Sequence, residues 1–241
     1  MKCCWNKHET CCQPFPESGP LSESTNLNLE QLGQKLRHHF KLNAETYVYV
    51  VATVLFTEDG IHFCQTGCAP NFQGDYITLC TCKHYMRSSR TTDDWKNIWV
   101  AGFTSHKLGR NYLFYLMQVQ IAFDSFREVW ETKIPMGRMK RAKDASESIF
   151  GDIFRPRSSA RTSDFSIGSY EQPTKSHRHW PDAWHTDVQY KSRWGKHAPL
   201  LVGNPEFSFL WTLPLIYTPR RLHRGHLRFK IRDFVETLMV V

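Results

Sequence analysis

Apolar residues recur at helical spacing at Leu29, Leu32, Leu36 and Phe40, with Glu30, Gln31, Lys35 and Arg37 on the other faces. The pattern predicts a helix over 26–40, capped by Asn26 or Asn28. The period then changes. Residues 47–56 are rich in Val, Tyr and Thr and predict a strand. Residues 76–82 predict a second strand, and the connection between the two carries Pro70, Asn71, Gly74 and Asp75. These turn formers predict an ordered loop held between two paired strands. Residues 98–103 and 112–123 are almost wholly apolar and predict a hairpin. Asp124 or Ser125 then caps a short helix through Phe126, Val129 and Trp130. Strand-like content returns at 199–202 and 207–217, and Ile231, Phe234, Val235 and Leu238 mark one face of a terminal helix. The succession predicts an α+β fold with a mostly antiparallel, curved sheet or small barrel flanked by helices.

Residues 1–25 are polar and interrupted by Pro14, Pro16 and Pro20, which predicts a flexible, Cys-rich tail ahead of a single α+β domain over 26–241. Within that domain, eight Lys or Arg face three acids between Lys133 and Arg161, so 131–175 reads as a mobile basic lid. The 41% hydrophobic and 14% aromatic content excludes a disordered chain. No apolar run approaches the roughly 20 residues of a membrane helix. The first residues lack the apolar segment of a signal peptide, and the expectation is a soluble, cytoplasmic protein. A formal net charge of +8 favours polyanionic partners. The run 220–232, with six Lys or Arg and no acid, points the same way: nucleotide or DNA rather than a membrane.

Eight cysteines fall into two groups, Cys3, Cys4, Cys11 and Cys12 in the tail and Cys64, Cys68, Cys80 and Cys82 in the centre. A disulfide framework spreads over a small secreted domain, so these read as reduced thiols. The first group, with His8, is either incidental or a soft-metal site, although adjacent cysteines suit one tetrahedral ion poorly. The second is either packing on one sheet face or a zinc site. His177, His179, His185 and Asp187 form a third cluster, either a metal or acid–base site or a histidine-rich surface loop. His185 with Asp187 is the preferred pair, because a carboxylate fixes an imidazole's tautomer. Lys83 and His84 beside the Asn71/Asp75 loop are either suited to a base edge or part of a capped loop whose polar groups satisfy its own backbone. The segment 220–228 is suited to phosphates. No Walker, nucleophile-elbow, zincin or dinucleotide fingerprint is present, and the sequence leaves any cofactor unknown.

The stretch CAPNFQGDYITLCTCKHYMR, followed by DWKNIWVAGFTS, YLFYLMQV and a late Gly-His-x-Arg, resembles the nucleotide-modification-associated domains of phages and bacteria. That family is linked by gene context to hypermodified DNA bases. The resemblance implies a protein acting on modified DNA bases or their nucleotides, as an enzyme or as a non-catalytic reader; an interaction or inhibitor protein using a basic surface is the third class. The Asp-Trp…Val-Ala-Gly segment before an apolar strand looks like PUA-like barrels. The candidate catalytic residues are Asp75, His185, Asp187 and His226. The candidate base- and nucleotide-binding residues are Pro70, Asn71, Lys83, Arg224 and Arg228. The expectation is that loop 69–75 and segment 225–228 share one pocket.

Overall fold

A computed structural model describes residues 12–107, 109–132, 137–157, 163–174, 183–223 and 225–241, with only the backbone at 137–139. Cys3, Cys4, His8, Cys11, His177, His179 and Arg224, all named above, lie outside the described residues. In chain order the helices are α1 (Pro20–Glu23), α2 (Leu29–Lys41), α3 (His84–Arg87), α4 (Phe126–Glu131), α5 (Gly137–Lys143), α6 (Ala183–Gln189) and α7 (Ile231–Glu236). The strands are β1 (Glu45–Val50), β2 (Val54–Phe56), β3 (Phe63–Gln65), β4 (Thr78–Leu79), β5 (Trp99–Phe103), β6 (Asn111–Phe123), β7 (Leu200–Leu210), β8 (Ile216–Thr218), β9 (His226–Lys230) and β10 (Met239–Val240). The fold is α+β with a curled, mostly antiparallel sheet; β1 against β5 is its parallel pairing. Among the described residues no helix is long and apolar enough to cross a membrane.

Two compact units emerge, residues 1–66, 97–118 and 205–241 forming the first and residues 67–96 and 119–204 the second. In the first, strands run in the order β10-β8-β6-β5-β1-β9. Helix α2 starts at Asn28, whose side chain accepts the Gln31 amide while Gln31 reaches back to the Asn28 N–H, a reciprocal cap satisfying two otherwise orphaned donors. Leu32, Leu36 and His39 are its buried face. β5 and β6 form the expected antiparallel pair. Their register places Gly102 opposite Tyr115, and a Cβ there would collide with the Tyr115 ring, which is why the position is glycine.

Three expectations need correction here. The runs 47–56 and 76–82 do not pair. β1 lies between β5 and β9, whereas β4 pairs with β7 through Thr78–Val202 and Leu79–Leu201 in the second unit. Residues 12–25 are not a free tail. Gln13 N–H donates to Gln65 O at 2.7 Å, Phe15 meets Phe114 edge-on at 5.8 Å, and Leu21 is fully buried. Nor are all the thiols reduced: Cys12 and Cys64 form a disulfide, their Cα atoms 5.5 Å apart as such a bridge requires.

The second unit is built around Phe123, Phe126, Ile153, Phe154, Tyr170 and Trp184, with Cys80 among them. Three of these, Ile153, Phe154 and Tyr170, come from the stretch expected to be a lid, so part of that stretch is core. Three of its described cations are held internally. Arg155 pairs with Asp144, Glu147 and Glu171, Arg157 Nε donates to Tyr170 O at 2.9 Å, and Lys143 is fully buried. The apolar residues interspersed among the charges decide the outcome, because burying them outweighs keeping the segment solvated.

Candidate active site around His84 and Asp187

Cys82 and Lys83 have φ of 59° and 47°, two successive non-glycine residues in the left-handed region. Such a conformation costs on the order of 1–3 kcal/mol per residue and persists only where its surroundings hold it. Here both polar groups of Cys82 are clamped. Its N–H donates to Asp187 Oδ1 at 2.8 Å, and its carbonyl accepts from Arg87 Nε at 2.8 Å. Arg87 is fully buried, donates to the Ala198 and Pro199 carbonyls at 3.0 and 2.7 Å, and its own carbonyl accepts the Trp95 indole N–H. The kink turns the chain into α3 and presents His84 at its first position.

His84 Nε2 lies 2.6 Å from Asp187 Oδ1, and the ring stacks on Tyr190 at 4.8 Å. The Asp187 side chain is 1% exposed and that of His84 18%. A buried carboxylate therefore fixes one ring nitrogen of a side chain that keeps part of its surface open to solvent. That is the geometry of an acid–base histidine with an orienting partner. Lys83 stands beside it half-buried, and burial lowers its pKa. Burial pushes the Cys82 thiol up to about 12, with Asp187 adding to the effect, so it stays protonated at neutral pH. Burial likewise raises Cys68 and Cys80. Among the described residues no group of three or more His, Cys, Asp or Glu is arranged to hold a metal ion.

The sequence reading paired Asp187 with His185; the structure gives Asp187 to His84, and His185 instead packs its ring against Trp184. Neither half of the pair advertises the other, since 103 residues separate them. Asn71 was expected to face a ligand, but it is fully buried with its amide occupied: Nδ2 donates to Phe150 O at 2.7 Å, and Oδ1 accepts from Lys143 Nζ and from Gln73 N–H. Pro70 is buried beside it, and Asp75 is half-buried at φ 67°. Loop 69–75 falls in the second unit, and His226 and Arg228 fall in the first. There they lie on β9, an outer strand of the sheet order, flanking Tyr47 at 5.3 and 6.0 Å.

A buried polar network that sequence reasoning missed lies behind the loop. Thr78 Oγ1 donates to Asp152 Oδ2 at 2.8 Å, Cys80 N–H reaches the same oxygen at 3.3 Å, and Asp152 Oδ1 has no hydrogen bond among the described residues. Burial raises Asp152 to about 6 and lowers Lys143 to about 8, each partly countered by the charge of the other. Its trace in the sequence is the isolated Asp152 in the apolar run Ile149-Phe-Gly-Asp-Ile-Phe154.

The family model described as nucleotide modification associated domain 2 matches residues 44–189. The chain belongs to this family. The matched span holds His84, Asp187, Lys143 and Asp152 and ends before His226 and Arg228. Membership in nucleotide modification associated domain 2 ties the chain to nucleotide modification. No curated protein and no solved structure matches the chain.

Proposed function

We propose that this protein is an enzyme acting on modified DNA bases or their nucleotides, with His84 as the group that accepts and returns a proton. Asp187 orients the imidazole and stabilises its cation as the proton arrives; Lys83 offers a positive group to the substrate's phosphate. The observation that carries the reading is the 2.6 Å contact between His84 and a buried Asp187, on a backbone kink held in a strained conformation within the family span. A kink of this kind needs a reason to persist, and presenting a histidine is one.

The experiment has two steps. A panel of ordinary and modified nucleotides is screened for compounds that raise the melting temperature, since a ligand of the native state stabilises it by mass action. Those that do are incubated with the protein and the mixture is resolved by mass spectrometry. Conversion by the wild type and its loss in His84→Gln supports the enzyme. Binding without conversion of any nucleotide supports the reader class instead.

A further inference from the structure

Residues 190–197, Tyr-Lys-Ser-Arg-Trp-Gly-Lys-His, leave helix α6 and return to β7 as a closed turn. Ser192 N–H donates to Lys196 O at 2.8 Å, and its hydroxyl accepts from the Trp194 and Lys196 amides; Gly195 takes φ 74°. Both ends of the turn are tied to α3. Tyr190 stacks on His84, and the Ala198 and Pro199 carbonyls just beyond receive Arg87. An ordered turn fixed against the His84 helix thus holds Trp194 out at 73% exposure, its indole contacting the Arg193 guanidinium at 4.6 Å. Tyr85, on the same short helix as His84, is 70% exposed.

The Trp194 indole thus leaves most of its area open to a stacking partner. Lys191 and Arg193 have no carboxylate partner among the described residues. The charge of Lys196 acts on Asp94. An exposed aromatic flanked by unpaired cations on a rigid turn is the chemistry of a single nucleic-acid strand: bases stack on the ring and phosphates meet the charges.

We propose that the 190–197 turn is a polynucleotide contact in which Trp194 stacks on a base of a DNA strand while Lys191 and Arg193 meet the adjacent phosphates. The substrate class is then a base within a strand rather than a free nucleotide. This rests on the proposed nucleotide chemistry at His84 and extends it. A free nucleotide spans too little to need a second aromatic platform, whereas a strand entering at His84 continues past it.

The test measures anisotropy of a fluorescein-labelled single-stranded DNA oligonucleotide on the full chain. Trp194→Ala is expected to weaken binding about tenfold or more, and Trp194→Phe to retain most of it. Lys191→Gln with Arg193→Gln should reduce the slope of log affinity against log salt by about 1.4, for two phosphate contacts on a single strand. Equal binding by wild type and Trp194→Ala would overturn the proposal, as would equal losses in the Ala and Phe variants. So would binding of anionic phospholipid vesicles, but not DNA, that depends on Trp194. The two readings fail separately: conversion that survives in His84→Gln overturns the catalytic reading, and strand binding that does not depend on Trp194 overturns the strand contact.

Discussion

A single oxygen, Asp187 Oδ1, stands 2.6 Å from His84 Nε2 and accepts the Cys82 amide N–H at 2.8 Å. One carboxylate therefore sets both the backbone kink and the ring that the kink presents. The two jobs separate under substitution. In Asp187→Asn the neutral amide oxygen still accepts both N–H groups but no longer stabilises an imidazolium. Turnover should fall by about 10²-fold or more while the melting temperature changes little. Asp187→Ala also leaves the buried Cys82 N–H without an acceptor, at a cost of about 1–3 kcal/mol in chemical denaturation. Full turnover by Asp187→Asn would remove Asp187 from the mechanism.

Deleting residues 12–25 should destabilise the first unit. The deletion removes the Cys12–Cys64 disulfide, the fully buried Leu21 and the Phe15 contact with Phe114. Losing the cross-link alone costs about 2–5 kcal/mol. A thermal melt of the deleted chain should show a drop of many degrees, and an unchanged midpoint would return this segment to the tail that its prolines suggested.

Local signals were legible. The α2 cap, the β5–β6 pair and α7 each rest on a period or a capping residue confined to a short window, and each formed where that window placed it. Long-range choices were not. Residues 47–56 look able to pair with any apolar strand, and only the folded chain reveals that β1 takes β5 and β9. The basic stretch misled because charge dominated its composition while Ile153, Phe154 and Tyr170 did the packing. At the site, Lys83, His84 and Asp187 were each singled out, but the partner of Asp187 is a matter of tertiary placement that spacing does not encode.

Gly102→Ala should cost about 1–3 kcal/mol, the range for forcing extra volume into a packed core. The Tyr115 ring covers Gly102, its hydroxyl lies 2.7 Å from that of Tyr49, and both tyrosines are buried. An added Cβ must push this ring, and with it the hydroxyl pair, out of place. Urea denaturation measures the loss. A variant as stable as the wild type would mean that the β5–β6 register differs from the one described.

The buried Lys143 and Asp152 give stability a pH dependence whose sign can be worked out. Asp152 keeps its proton to about pH 6 when folded against an ordinary 3.8, so its contribution is fully present below 3.8 and lost as pH rises through 6. Lys143 titrates near 8 when folded against an ordinary 10.5, so its contribution is fully present above 10.5 and lost as pH falls through 8. Between 6 and 8 both are charged, and the network then depends on mutual attraction to offset two burial costs. Asp152→Ala should destabilise by about 3–5 kcal/mol at pH 7, because it leaves a buried ammonium without its counter-charge. Adding Lys143→Met should recover part of that loss, since the charge and its need for compensation disappear together. The difference in stability between wild type and Lys143→Met should move in favour of the wild type as pH rises from 8 towards 10.5. Denaturation series at pH 7, 8 and 10 decide the matter: additive losses in the double variant would show that the two groups are not coupled, and a gap that does not change with pH would show that burial does not lower the Lys143 pKa.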